Sequence, residues 1–119
     1  MSDYKQFFIK QGDTLPVLQA TLKSGEDGIT PVDLSNIPDS DILFKMKQRN
    51  KADTLVTIQC SPMTLVDKQN GKVQVQWQSQ HTSTPGVYEA EFEITNQDGN
   101  KETFPNTDPF IVKVVKDRI

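Results

Sequence analysis

The stretch Tyr88-Glu89-Ala90-Glu91-Phe92-Glu93-Ile94 decides the fold. Successive side chains of a β-strand point to opposite faces, so Tyr88, Ala90, Phe92 and Ile94 share one face and three glutamates share the other. That is a half-buried strand with one wet side. Val73-Gln74-Val75-Gln76-Trp77 repeats the alternation with glutamines outward, and Ile42-Leu43-Phe44-Lys45-Met46 repeats it with Ile42, Phe44 and Met46 inward. Shorter versions run from Val17 to Lys23, with Leu18, Ala20 and Leu22 inward, and from Thr54 to Cys60, with Val56, Ile58 and Cys60 inward. Phe110 to Val115 gives a strand near the end, and Gln6 to Lys10 a short one near the start.

Turn signals separate these pieces. Asn70-Gly71 and Asp98-Gly99 suit hairpin turns whose residues need positive φ, and Asp27-Gly28 closes another loop. The expected fold class is all-β: seven or eight short antiparallel strands with turn signals roughly 8–12 residues apart, the pattern of an immunoglobulin-like β-sandwich or a small barrel. Residues 11–119 are expected to form a single sandwich domain, and residues 1–10 an N-terminal arm or edge strand. The period-two placement predicts a core of Leu18, Leu22, Phe44, Met46, Val73, Val75, Trp77, Tyr88, Phe92 and Val112. Pro31-Val32-Asp33-Leu34-Ser35-Asn36-Ile37-Pro38 predicts one helical turn, since Ser and Asp cap well and Pro38 stops extension. No long helix, internal repeat or linker is expected.

Composition bounds the function. With 119 residues, one hydrophobic core is the expected organisation. The hydrophobic share of 34%, even with 6 glycines added, falls below the ~45–50% apolar content of an average domain, so the core is thin. Thirteen basic against 16 acidic side chains give a net charge of -3, with the lysines scattered. Phosphate backbones select a clustered basic face, so no direct nucleic-acid partner is expected. No apolar run reaches the length of a signal peptide or membrane span, which points to synthesis in a cytoplasm and no membrane partner. Cys60 is the only cysteine, so an intrachain disulfide is impossible.

The candidates for chemistry are sparse. His81 is the only histidine and lies in Gln80-His81-Thr82-Ser83-Thr84-Pro85-Gly86, a polar loop, where a solvent-exposed ring is expected. A nucleophilic site would need a base that a third group orients. Cys60, on the apolar side of its strand, reads as a small buried hydrophobe with nothing near in sequence to lower its pKa. Glu26, Asp27, Asp33, Asp39 and Asp41 could gather as oxygen ligands for calcium, but their spacing matches no established calcium loop. Aspartates that bond their own backbone in loops account for the same letters. The glycines are single and sit at turns, so no phosphate-binding loop is present. No enzyme, metal or other cofactor is expected.

Phe44, Trp77, Tyr88, Phe92 and Phe110 take inward positions on strands. Phe7 and Phe8 are adjacent and point to opposite faces, so one of them leaves the domain's own core. With Tyr4 and Ile9 they make the N-terminal segment the candidate protein contact, docking on a neighbouring chain.

A longer set of landmarks carries a resemblance. Gly12-Asp13-Thr14-Leu15-Pro16, the strand Leu18-Gln19-Ala20-Thr21-Leu22-Lys23 and then Pro31-Val32-Asp33-Leu34-Ser35 open the series. Gly71-Lys72-Val73 leading to Trp77, Thr84-Pro85-Gly86-Val87-Tyr88-Glu89-Ala90-Glu91-Phe92, and Glu102-Thr103-Phe104-Pro105-Asn106 continue it in order. From about Phe7 to Val115 the chain resembles the phage baseplate upper-protein N-terminal domain family. Asp39-Ser40-Asp41 departs from that pattern by lengthening the connection into the next strand. The resemblance implies a β-sandwich module of tailed-phage virions that holds a longer receptor-binding protein onto the particle. No receptor-binding portion follows within these 119 residues, so attachment or assembly is what it implies here. The expected partners are other virion proteins and further copies of the chain, and the expected location is the virion. A tail, baseplate, connector or capsid-decoration position stays open, as does a free-standing carbohydrate-binding module. A Trp77 packed between sheets would favour the structural subunit, and an exposed one the carbohydrate module.

Overall fold

A computed structural model describes residues 6–24, 27–51, 53–105 and 110–119. The chain is mostly β, and its strands fall into a large and a small sheet that share one core. In chain order the strands are β1 (Gln6–Lys10), β2 (Leu18–Thr21), β3 (Ile42–Gln48), β4 (Val56–Gln59), β5 (Lys72–Val75), β6 (Gly86–Thr95), β7 (Lys101–Phe104) and β8 (Phe110–Val115). The large sheet has the order β1-β8-β6-β3-β4, with β7 also paired to β6, and the small sheet is β2-β5.

The most strongly alternating strand, β6, lies at the centre. One side of it pairs with β3, from Ile42↔Ile94 to Gln48↔Tyr88. The other side is shared: β8 takes Gly86 to Ala90 and β7 takes Phe92 to Thr95. Tyr88, Ala90, Phe92 and Ile94 are buried, as the alternation requires, and every residue of the expected core is buried as well. Phe44 is fully enclosed, with Phe92 at 5.3 Å between ring centroids, Phe110 at 6.1 Å and Trp77 edge-on at 5.5 Å.

The small sheet puts Leu18 opposite Val75 and Ala20 opposite Val73. Flanking chain prolongs it: the Leu22 N–H donates to the Gly71 carbonyl, the Val32 N–H to the Leu22 carbonyl, and the Ser61 N–H to the Gln74 carbonyl. The neighbouring Cys60 N–H donates instead to Ile42 of the large sheet, so the chain passes from one sheet to the other between these two residues.

The structure departs from the sequence reading at four places. The pairing is not wholly antiparallel, because β1 runs parallel to β8. β7 is a strand that alternation missed, since of its residues Lys101–Phe104 only Phe104 is buried. Asn70-Gly71 does not close a hairpin; it ends a short helix, α1 (Leu65–Gln69), where the N–H groups of Asn70 and Gly71 turn back to carbonyls of the last turn. The N-terminal end of α1 is capped by the Thr64 hydroxyl, which accepts from the Asp67 N–H at 3.1 Å. The single turn expected over Pro31 to Pro38 is present as one hydrogen-bonded turn, with the Ile37 N–H donating to the Leu34 carbonyl at 2.9 Å and both residues buried, but an unexpected 3-10 turn follows Pro38 at Asp39–Asp41. Lys68 of α1 fixes this region by bonding the Asp39 carboxylate at 3.0 Å and the Ile37 carbonyl.

Two substitutions test this packing. Trp77 is 1% exposed, and truncating a buried Trp typically costs roughly 3–5 kcal/mol, so Trp77→Ala should unfold or severely destabilise the domain in a denaturant titration. Gly71 has φ +71°, and a Cβ there would lie 2.7 Å from the Leu22 carbonyl oxygen and 2.9 Å from that of Val32. Gly99 has φ +82° with open space around it. Gly99→Ala should therefore cost about 1–2 kcal/mol, from backbone strain alone. Gly71→Ala should cost roughly 2–5 kcal/mol, because two backbone segments must also move.

Candidate interaction surface

The N-terminal strand is built by its pairing with β8, in the register Phe7↔Val112, Phe8↔Lys113 and Ile9↔Val114. Val112 and Val114 face the core, so alternation turns Phe7 and Ile9 inward with them and Phe8 outward. Ile9 is 2% exposed and belongs to the core, which makes it unavailable to a partner and removes it from the expected contact. Phe7 is half-buried and stacks on Trp77 at 5.9 Å with the ring planes 24° apart. Phe8 is 53% exposed on the outer face, with the Lys113 ammonium 5.4 Å from its ring centroid. Tyr4 lies outside the described residues. Strand β1 ends the sheet order, so one side of its backbone is unpaired next to Phe8 among the described residues.

The chain leaving β1 is tied down by the turn around Ser79–Thr82. The Gly12 N–H donates to the Thr82 carbonyl at 2.9 Å, and the fully buried Thr82 hydroxyl donates to the Asp13 carbonyl at 2.9 Å. The Gln11 amide donates to Ser83, and the Gln76 amide to Thr14. His81 holds this turn together. Its Nδ1 accepts the Gln78 N–H at 3.0 Å, which assigns the ring proton to Nε2. The ring is half-buried rather than exposed as the loop composition suggested, and burial lowers its pKa. The signal for this role was the Gln78-Ser79-Gln80-His81 spacing, with both ends of the turn able to cap one another.

The remaining candidates stay apart. Cys60 is 1% exposed, and burial, with the Asp39 carboxylate adding to it, pushes its thiol up to about 12. Such a thiol is not a nucleophile at neutral pH. The Asp27 carboxylate accepts from the Thr30 hydroxyl at 2.6 Å and from the N–H groups of Ile29 and Thr30, which holds its pKa at about 2. Asp33 accepts from the Ser35 N–H, and its pKa is lowered by its bonds to Ser35. Asp39 is engaged by Lys68. Glu26 lies outside the described residues. Among the described residues no three His, Cys, Asp or Glu side chains group as a metal site would require. Trp77 offers no surface for stacking a sugar, since it is 1% exposed and packed against Phe7 and Phe44.

Comparison with models of protein families, with curated proteins and with solved structures returns no match. No helix among the described residues is long and apolar enough to cross a membrane.

The His81 cap has a pH signature. A protonated ring cannot accept the Gln78 N–H, so the folded chain favours the neutral form. A lowered histidine pKa contributes stability that is in full force above the ordinary value of about 6.5 and is lost as pH falls through the folded value. His81→Ala should cost about 0.5–1.5 kcal/mol at pH 7.5, the net worth of one hydrogen bond. The gap between the two proteins in urea denaturation should narrow below pH 6. A gap that is constant from pH 7.5 to 5 would show that His81 does not work through its neutral nitrogen.

Proposed function

We propose that this chain is a structural subunit of a bacteriophage virion, in the tail or baseplate, acting through protein–protein contacts during particle assembly. The observation that carries the reading is the edge of β1, unpaired among the described residues, with Phe8 turned outward beside it. Such an edge accepts a strand from another chain: main-chain hydrogen bonds supply affinity, and an outward aromatic supplies specificity. The placement of Trp77 supports a structural subunit over a carbohydrate-binding module. The proposal assigns the chain no catalytic step and no cofactor. It locates the chain in the virion, after synthesis in the host cytoplasm.

Within this proposal the fold reads as an immunoglobulin-like sandwich. Two features support that reading. The order β8-β6-β3-β4 beside β2-β5 corresponds to strands G-F-C-C′ facing B-E. In addition, the Tyr88 hydroxyl, near the start of β6, donates to the Thr84 carbonyl four residues upstream at 2.7 Å, as a tyrosine corner does.

The discriminating experiment changes Phe8 alone, because removing residues through Ile9 would also strip the core. Phe8→Ser should leave stability within about 0.5 kcal/mol, as for most surface changes. Its incorporation into particles, measured by mass spectrometry of purified virions, should fall at least about tenfold, the effect of losing one interface anchor of 1.4 kcal/mol or more. Incorporation at the level of the unchanged chain would sink the β1 contact.

A further inference from the structure

The outer face of the large sheet carries two parallel stripes of opposite sign. Lys45 and Lys47 of β3, with Arg49 just beyond it, form a positive stripe. Glu89, Glu91 and Glu93 of β6 form a negative one, with Lys45 directly opposite Glu91 and Lys47 opposite Glu89. Neighbouring strands lie about 4.8 Å apart, so the stripes run side by side. Some of this charge is answered internally: Lys45 bonds Glu93 at 3.2 Å, Arg49 meets Glu89 at 3.4 Å, and Lys101 reaches Glu93 at 3.6 Å. Among the described residues Lys47 and Glu91 have no ion-pair partner, which leaves one unanswered charge in each stripe. Between the stripes lies an open depression of about 380 Å³, lined by Lys45, Lys47, Glu89 and Glu91, and Leu55, 58% exposed, stands at its rim.

From this arrangement we infer that the β3–β6 face binds a second copy of the chain, face to face about a two-fold axis running along the strands between β3 and β6. A two-fold interface joins one patch to itself, so the patch must be complementary to its own rotated image. Rotation about an axis parallel to the stripes lays the positive stripe of each copy on the negative stripe of the other. Because that rotation keeps each residue's height along the strands, Lys47 then meets Glu89 of the copy and Glu91 meets its Lys45, while the two Leu55 side chains add apolar contact. A two-fold axis perpendicular to the strands, in the plane of the interface, would set like charges against each other, which costs several kcal/mol in an interface, so the stripes also fix the orientation. The inference rests on reading the chain as a protein-binding subunit and supplies a second surface for it, on a different region of the sheet from Phe8.

Charge exchange tests it. Lys47→Glu turns the face net negative and Glu89→Lys, at the position that Lys47 of the other copy faces, turns it net positive. Each variant alone should repel its own copies, and a mixture of the two should associate. In sedimentation equilibrium at about 20 mM salt the unchanged chain should form dimers. Raising the salt to about 0.5 M, where screening acts within a few Å, should weaken them at least about tenfold. Each single variant should weaken dimerisation at least about tenfold. Mixing the variants should restore heterodimers, a result that misfolded chains could not give. A monomeric unchanged chain at millimolar concentration, single variants that dimerise like it, or a mixture that stays monomeric would each overturn the inference. These measurements use the isolated chain, so their failure leaves particle incorporation, and with it the assembly reading, to be judged separately.

Discussion

The contact between Trp77 and Phe44 is the constraint on which the rest of the architecture depends. Trp77 lies just past the end of β5, in the small sheet's half of the chain, and its ring meets the fully enclosed Phe44 of the large sheet edge-on. Edge-to-face packing of this kind adds to the large apolar area that an indole buries. Phe7 stacks on the same indole. One side chain thus ties together the large sheet, the exit of the small sheet and the first strand. In a chain with so small an apolar share, few other residues bury comparable area. The register of β1 against β8 turns Phe7 inward to this contact and leaves its neighbour Phe8 facing out.

The strands with one dry and one wet face were the legible portion of the fold. In β3, β5 and β6 every second residue is apolar, and those residues are the buried ones. The rest was illegible where burial does not alternate. β7 buries only Phe104 and owes its extended form to the β6 edge it pairs with. The helix α1 buries no residue, so no periodicity marks it; its signals were the Thr64 cap and Asn70-Gly71, the latter equally compatible with a hairpin. The direction of β1 beside β8 depends on a pairing between opposite ends of the chain, which no local pattern encodes.

The candidate site was legible to a similar depth. That Phe7 and Phe8 must face opposite ways follows from adjacency, but which of them turns inward depends on the register against β8. Ile9 could not be assigned from the sequence, because its burial comes from Val112 and Val114 on a strand about a hundred residues away. His81 was misread because polar neighbours suggested exposure, whereas the ring is used to cap its own turn. The loop aspartates were readable on local chemistry alone: Asp27 and Asp33 bond backbone N–H groups two or three residues ahead, which is their ordinary role in turns.

The parallel pairing of β1 with β8 also has a mechanical consequence. Because both strands run the same way, the chain enters β1 at one end of the ladder and leaves β8 at the other, with Gln6 beside Ile111 and Lys10 beside Val115. Tension between the start of β1 and the end of β8 therefore pulls the two strands lengthwise past each other. In that geometry the ladder's hydrogen bonds share the load and must yield together, whereas an antiparallel hairpin pulled from its open end unzips bond by bond. Resistance to force is set by the rate of crossing such a barrier rather than by equilibrium stability. A thin-cored domain built in this way can be thermodynamically modest and still hold as a tether under strain.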